Sequence, residues 1–169
     1  MARPRVTIRP FNVGDQDAAK RLVNEGLGER FGLVDESFNP DLDDIAAHYS
    51  SPGHTFVVAE QDDELIGTGC LVFAPKGTTG QMVRVSVRRD LRGQGVGHAL
   101  VEHLLNVARA AGLRRVWMET NVGWESAIRL YKACGFREYD RVGRLVFLER
   151  KIEAQSHTEN TEARDAGMD

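Results

Sequence analysis

Hydrophobic and polar residues alternate in some parts of the chain and recur with a helical period in others. Short apolar runs rich in Val, Ile and Phe, bounded by Gly, Pro or Asp, indicate strands. They fall at residues 6–9, 54–60, 65–73, 82–87, 115–119, 136–140 and 145–150. Apolar residues spaced three and four apart indicate helices at residues 15–28, 41–49, 96–111 and 125–134.

The helix predicted at residues 96–111 has the most regular pattern, and Gly112 is placed to end it. Its apolar stripe consists of Val96, Leu100, Leu104, Val107 and Ala111. Because this helix connects two strands, we expect those strands to be parallel, in a central β-α-β crossover. Tight turns between the earlier strands predict antiparallel pairing. The pattern predicts one mixed α/β domain over residues 1–152, closed by a helix and a hairpin, and a disordered polar tail over residues 153–169.

Composition is typical of a soluble globular domain. The chain has 169 residues, of which 41% are hydrophobic and 28% are charged, enough for one domain with a sizeable core. The 25 acidic and 22 basic side chains give a formal net charge of -3. This balance argues against binding nucleic acid or an anionic membrane through bulk charge. No leader pattern or long apolar run is present, so we expect a cytoplasmic protein.

The two cysteines, Cys70 and Cys134, lie far apart in apolar segments. This placement is typical of buried, reduced thiols rather than of a catalytic nucleophile. Cys and His do not recur at the spacing of a structural zinc site, so no metal is expected.

A glycine-rich turn separates the strand at residues 82–87 from the helix that follows it. Backbone amides at a helix N-terminus lack intrahelical partners, and the helix dipole makes them an anion site suited to phosphate. A P-loop is excluded because the turn has no Gly-Lys-Ser/Thr. A dinucleotide fingerprint would need glycine where His98 or Leu100 stands, and in that fold the motif opens the sheet. Dinucleotide-binding folds also carry an acidic residue after the motif that binds the ribose of the cofactor, and Glu119 could take that place. A nicotinamide-dependent oxidoreductase therefore stays as an alternative.

Arg92, Gly95 and Gly97 instead satisfy the pattern Arg-x-x-Gly-x-Gly. A second segment, Ala-Ile-Arg-Leu-Tyr-Lys-Ala-Cys-Gly-Phe, occupies residues 127–136. On these two segments the chain resembles the GNAT family of N-acetyltransferases, which use acetyl-CoA. The resemblance spans roughly residues 6–152 and is strongest over residues 83–136. It implies a sheet that splays at the crossover to admit acetyl-CoA.

The resemblance also implies which residues bind acetyl-CoA. The amides of the glycine-rich turn would hold the pyrophosphate, and the exposed edge of the preceding strand would pair with the pantetheine arm through its backbone. Arg92 could add charge to the phosphate site or form a structural ion pair. The implied residues are Val85, Ser86, Val87, Arg92, Gly93, Gln94, Gly95, Val96, Gly97, His98, Asn121 and Tyr131.

Acetylation of an amine needs a base for the ammonium proton, an acid for the departing thiolate and a donor for the oxyanion. The family motif implies Tyr131 as the acid and a backbone amide near Val85 as the oxyanion donor. Glu119, at the predicted end of its strand, is the first candidate base, and His54 is the second. Arg84 is expected on the surface, with contact to a carboxylate-bearing acceptor as the alternative.

One position departs from the family pattern. Relatives usually carry Asn three residues before the Ala matched by Ala127, and this chain has Trp124 there. Either Asn121 replaces that Asn in holding CoA, or Trp124 packs on the cofactor or the substrate, or Trp124 forms a dimer contact. The family often dimerises, so a homodimer stays open.

The acceptor is an amine of a small molecule or a peptide, and the sequence does not distinguish them. Acidic residues between positions 35 and 44 could attract a cationic amine or form a solvated helix end. The predicted enzyme transfers acetyl directly to the amine. A non-catalytic acyl-CoA-binding module is the alternative from another functional class.

Overall fold

The computed structural model describes residues 5–33 and 35–153. The strands are β1 (Thr7–Pro10), β2 (Thr55–Gln61), β3 (Glu64–Phe73), β4 (Thr79–Val87), β5 (Arg115–Asn121), β6 (Arg137–Val142) and β7 (Leu145–Lys151). The helices are α1 (Gln16–Phe31), α2 (Ile45–His48), α3 (Val96–Ala110) and α4 (Glu125–Ala133). The strands form one sheet in the order β1-β2-β3-β4-β5-β7-β6. Neighbours are antiparallel except β4 and β5, which are parallel, so the predicted mixed α/β fold is confirmed.

Hydrophobic cores lie on both faces of this sheet. On one face, the buried Leu100 and Leu104 of α3 and Ala127 of α4 pack in the larger core. On the other face, a smaller core includes Ala19 of α1 and Ile45 of α2. Both cores draw residues from β2 and β3, which explains why these strands are buried almost continuously rather than alternately.

The stripe predicted for α3 is largely confirmed. Val96, Leu100 and Leu104 are buried and Val107 is partly buried, whereas Ala111 is exposed at the C-cap. Gly112 adopts a φ of +76°, as a glycine that ends a helix does.

β4 and β5 pair over only three residues, Thr79–Gln81 with Arg115–Trp117. Beyond Gln81 the two strands separate, although β3 and β7 continue to hold their outer sides. The separation leaves an opening between the carboxyl ends of β4 and β5, next to the start of α3. Ligands of α/β proteins commonly bind at such an interruption of the sheet.

Several predicted helix boundaries are wrong, each for a local reason. The first helix runs past Gly28 to Phe31, where Gly32 ends it with a φ of +78°. The helix predicted at residues 41–49 is instead a 3₁₀ turn at Pro40–Leu42 followed by α2. The break arises because the Asp44 carboxylate accepts a hydrogen bond from the amide of Ala47 and so starts a new helix.

Two strand boundaries also differ from the prediction. β1 includes Pro10, which an edge strand tolerates because it has a neighbour on one side only. β5 continues to Asn121, so Glu119 lies two residues inside the strand, opposite Phe147 of β7. Of the predicted tail, residues 154–169 lie outside the described part of the chain. Within the described part, no helix is both long enough and apolar enough to cross a bilayer.

Candidate active site

A cleft of about 1080 Å³ occupies the opening between β4 and β5. Its walls come from the second half of α1, the segment around α2, the carboxyl ends of β4 and β5, the glycine-rich turn and the first turns of α3 and α4. Ten of the predicted site residues line it, namely Val85, Ser86, Val87, Arg92, Gly93, Gly95, Gly97, His98, Glu119 and Tyr131. Gln94, Val96 and Asn121 are not among the lining residues.

The glycine-rich turn is shaped to present backbone amides. Gly93 and Gly95 have φ values of +74° and +90°, which side chains with a Cβ rarely adopt. No atom lies within 4 Å of the position of a Cβ at either glycine, so the turn is open to a ligand. Gly95 is the N-cap of α3, and no side chain caps the helix there. The first amides of α3 are therefore available to an anion, which fits a phosphate group.

Gly97 serves a different purpose from the two glycines before it. A Cβ at this position would lie 3.0 Å from Cδ2 of Leu130. Gly97 therefore allows α3 and α4 to approach closely beside the open amides of the turn.

The remaining side chains of the turn are occupied within the protein. Arg92 forms an ion pair with Glu29 at 2.7 Å and donates to the carbonyl of Val87, which favours the structural ion pair left open above. Gln94 donates to the carbonyl of Asp90. Val96 is buried in the core, so only its backbone is available to a ligand.

The free edge of β4 faces the cleft with its backbone. The amide of Arg88 donates to the carbonyl of Ile66 in β3. Because backbone groups alternate in direction along a strand, the amides and carbonyls of Val87 and Val85 face the opening. Their side chains pack against the larger core. The Ser86 hydroxyl faces α1, where a Cβ at Gly26 would lie only 2.9 Å from it.

The prediction that Arg84 lies on the surface is wrong. A bulge interrupts the β3–β4 register, and Arg84 there has a φ of +56°. Its side chain lies on the same face of the sheet as Ser86, which α1 and α2 cover, and it lines the cleft. Its guanidinium donates to both carboxylate oxygens of Asp41, at 3.0 and 2.6 Å, and to Asn39 at 3.1 Å. Its carbonyl accepts from the buried Thr68 hydroxyl at 2.8 Å. Arg84 therefore ties the bulge to the segment before α2.

The Asp41 carboxylate is fully engaged in this network, since it also accepts from the Tyr49 hydroxyl at 2.6 Å. Burial alone would raise the pKa of Asp41, but hydrogen bonds from Arg84 and Tyr49 hold it below its usual value. The other acidic side chains of this region are also engaged. Asp35 caps a 3₁₀ turn, and Asp43 pairs with Lys20. The cluster therefore does not provide a free anionic surface for a cationic amine.

Tyr131 lies on α4 with its side chain almost completely buried, edge-on to Phe136 at 6.2 Å. Burial raises the pKa of its phenol to about 12, partly offset by the nearby positive charge of Arg30. The phenol therefore remains protonated near neutral pH, as a proton donor must.

The two candidate bases occupy different environments. Glu119 is exposed on the part of β5 that has separated from β4, and it lines the cleft. His54 lies outside the cleft, and its Nδ1 accepts the amide of Phe73 at 3.1 Å. The geometry therefore favours Glu119 over His54.

Trp124 is the N-cap residue of α4 and lines the cleft. It contacts the end of α1, with the Phe31 ring edge-on at 5.3 Å and the Arg30 guanidinium 4.4 Å above its ring centre. Asn121 instead accepts the amide of Gly123 and stabilises the turn before α4. Sequence reasoning missed Arg30, Phe31 and Tyr49, because their approach to the cleft depends on contacts between distant segments.

One group of potential metal ligands was not evident from sequence spacing. Donor atoms of His98, Glu102 and Cys134 lie within 4.8 Å of one another. The Arg150 guanidinium, however, lies 3.6 Å from Glu102 and donates to the carbonyl of Cys134. This positive charge disfavours a cation at the same place.

Comparison with known proteins decides between the alternatives. The model of the acetyltransferase (GNAT) family matches residues 20–136. The chain belongs to the GNAT family. It is therefore an N-acetyltransferase that uses acetyl-CoA as its donor.

Two curated relatives match this chain over most of their own length. The chain is 31% identical to an IAA acetyltransferase of Azospirillum brasilense over 123 residues, which is 73% of this chain and 79% of the relative. It is 26% identical to the uncharacterized N-acetyltransferase YjgM of Escherichia coli over 138 residues, 79% of this chain and 83% of the relative.

Solved structures share the fold. An acetyltransferase of the GNAT family from Staphylococcus aureus Mu50 superposes with a TM-score of 0.80 at 19% identity, covering 88% of this chain and all of that chain (100%). A PaiA N-acetyltransferase from Thermoplasma acidophilum, determined in complex with coenzyme A, gives a TM-score of 0.76 at 17% identity, with 88% and 99% coverage.

Proposed function

We propose that the chain transfers the acetyl group of acetyl-CoA directly to the primary amine of a small molecule or peptide. The observation that supports this most is that phosphate-binding amides, a free strand edge, Tyr131 and Glu119 line one cleft. Acetyl-CoA supplies an acyl group activated as a thioester. The chain supplies positioning, an acid, a base and hydrogen-bond donors.

The cofactor is held at three places in this proposal. Its pyrophosphate binds the amides between Gly93 and His98, and its pantetheine arm pairs with the backbone of Val85 and Val87. Trp124 borders the arm at the start of α4. Asn121 is not assigned a contact, because it does not line the cleft and its side-chain oxygen is engaged in a turn.

The chemical step needs three proton transfers. Glu119, directly or through a water, accepts a proton from the ammonium, so that the neutral amine attacks the acyl carbon. A backbone amide near Val85 stabilises the negative charge on the oxygen of the tetrahedral intermediate. As this intermediate collapses and the carbon–sulfur bond breaks, the sulfur takes a proton from the Tyr131 hydroxyl. The proton that the attacking nitrogen loses on collapse restores the Tyr131 hydroxyl, and Glu119 releases its proton to solvent.

Direct transfer is favoured because the cysteines are poor nucleophiles. Burial raises the pKa of Cys70 to about 12 and that of Cys134 to about 11, so both stay protonated near neutral pH. Neither lines the cleft.

The test is release of free CoA thiol from acetyl-CoA over a panel of amines, with the acetylated amine identified by mass spectrometry. We expect amine-dependent release that saturates in both substrates, without acetylation of the protein. If CoA binds but no amine releases thiol, the chain is a binding module and the proposal is wrong. A stable acetyl group on Cys70 or Cys134 would contradict direct transfer.

A further inference from the structure

Some charged side chains that line the cleft have an ion-pair partner within the protein. The Asp41 carboxylate is used by Arg84 and Tyr49, and the Arg92 guanidinium pairs with Glu29. The exposed Arg129 approaches Glu125 at 4.0 Å. Arg30 differs, because within the described part of the chain no carboxylate lies at ion-pair distance from its guanidinium.

Arg30 is held in place by aromatic contact instead of by a carboxylate. It stands in the last turn of α1, with its guanidinium carbon 4.4 Å from the centre of the Trp124 ring. Phe31, the next residue, packs edge-on against the same ring. The residue is exposed as a whole, yet the protein around the guanidinium lowers its pKa below the usual value. A guanidinium oriented in this way keeps its N–H fork available for an anion.

The position of Arg30 indicates which ligand supplies that anion. Arg30 lines the same cleft as Tyr131, and its guanidinium lies over Trp124 at the start of α4, the helix that carries Tyr131. An anion bound by Arg30 would therefore lie toward the end of the cleft where acetyl transfer is proposed. Acetyl-CoA carries its phosphates at the opposite end of the molecule from its acetyl group, which makes the acceptor the better source.

The cleft has apolar walls on the side of α1. Val23 and Leu27 line it from the same helix as Arg30, and Val72 and Val83 line it from the sheet. Charge on the segment before α2 is neutralised by the Arg84–Asp41 pair. This environment suits an acceptor with an apolar body and one negative charge.

We propose that Arg30 binds a carboxylate of the acceptor, so that the enzyme acetylates amines carrying a carboxylate and an apolar or aromatic body, such as apolar amino acids. This inference rests on the proposed function. A guanidinium binds a carboxylate through two parallel hydrogen bonds, which gives orientation as well as affinity. The carboxylate contact would fix the acceptor so that its amine faces the acyl carbon.

Matched pairs of amines test this directly. L-Phenylalanine is compared with 2-phenylethylamine, and L-leucine with 3-methylbutylamine, by kcat/KM at fixed pH. We expect the wild-type enzyme to prefer the carboxylate by about 10- to 100-fold, the range of a hydrogen-bonded charge. Arg30→Gln should reduce that preference to about threefold or less and leave the KM for acetyl-CoA within about twofold. Arg30→Lys should retain part of the preference, because it keeps the charge without the planar fork.

The matched control is Arg109→Gln, which removes the same charge from the last turn of α3, outside the cleft. It should leave both ratios unchanged. Equal activity of wild type on both members of each pair would overturn the inference. So would an Arg30→Gln variant that loses affinity for acetyl-CoA while its preference for the carboxylate persists, since Arg30 would then serve a CoA phosphate.

A binding measurement separates this inference from the proposed function. N-Acetyl-L-phenylalanine and N-acetyl-2-phenylethylamine are titrated in the presence of CoA, with the heat of binding measured by calorimetry as the readout. If no amine is acetylated, the proposed function has failed. Binding selective for the carboxylate and lost in Arg30→Gln would still support the Arg30 site, and equal or absent binding of the two compounds would refute it.

Discussion

Arg84 and Asp41, which are 43 positions apart in sequence, form a bidentate ion pair at the wall of the cleft. One partner sits in the bulge of β4, in a backbone conformation that residues with a Cβ rarely adopt, and the other in the turn before α2. The pair therefore joins the strand that carries the proposed oxyanion donor to a segment that lines the cleft. Strained backbone of this kind persists only where surrounding contacts hold it.

Energetic coupling between these two residues can be measured in a double-mutant cycle. We expect Arg84→Gln and Asp41→Asn each to lower the free energy of unfolding, with a coupling energy of about 2 kcal/mol, because both side chains are largely buried. Urea denaturation gives the values. The exposed Lys20–Asp43 pair is the control and should show coupling below about 0.5 kcal/mol. Similar coupling in both pairs would contradict the assigned role.

Substitution by glycine separates the backbone of Arg84 from its side chain. Arg84→Gly removes the strain at a φ of +56° but also the link to Asp41. If the side chain positions the bulge, kcat should fall about tenfold or more while the affinity for CoA is retained. A kcat equal to that of wild type would mean that only the backbone conformation matters, and the positioning role would be rejected.

Gly95 offers a test of the phosphate site. Gly95→Ala forces a Cβ onto a φ of +90° and should shift the first amides of α3, which raises the Kd for CoA about tenfold or more. Gly143→Ala is matched, because Gly143 also has a positive φ and open space around it but lies between β6 and β7. Calorimetric titration should show weaker CoA binding in the first variant only. Equal loss in both would indicate general destabilisation.

Stability in acid follows from the paired carboxylates. The pKa of Asp15 is lowered by hydrogen bonds from Arg9, that of Glu149 by Arg115, and that of Asp41 by its partners despite burial. Each of these carboxyl groups has a lower pKa in the folded state than in the unfolded state, where the pKa is about 4. The ionised groups therefore stabilise the folded protein at a pH above about 4, and this stabilisation is lost as the pH falls through the pKa of the folded state. Unfolding free energy should therefore drop below about pH 4.

The Asp41→Asn variant should show a shallower loss of stability over this acid range than wild type does. Asp43→Asn, at an exposed site, should follow the wild-type curve. Parallel curves for wild type and Asp41→Asn would show that this carboxylate makes no pH-dependent contribution.

Much of the fold follows from local pattern. The α3 stripe and the glycine turn are each contiguous in the chain, so periodicity and glycine spacing are enough to identify them. The Tyr131 segment is also contiguous, and the resemblance to the family motif identifies it. The role of Arg84 could not be predicted, because its partner Asp41 is 43 positions away in the sequence. The packing of α1 and α2 over this face of β4 depends on contacts between distant segments. The same holds for Arg30 and Trp124, whose contact depends on how α1 extends past Gly28.

The most direct test of the account is the effect of Tyr131→Phe on turnover and on cofactor binding. Tyr131→Phe removes the proposed proton donor while keeping the buried ring, so kcat for amine-dependent thiol release should fall about 100-fold or more, with the Kd for CoA within about twofold. Tyr139→Phe, at an exposed residue of β6, should match wild type in both measurements. A Tyr131→Phe enzyme with wild-type kcat would contradict the assignment of Tyr131 as the acid and, with it, the proposed mechanism.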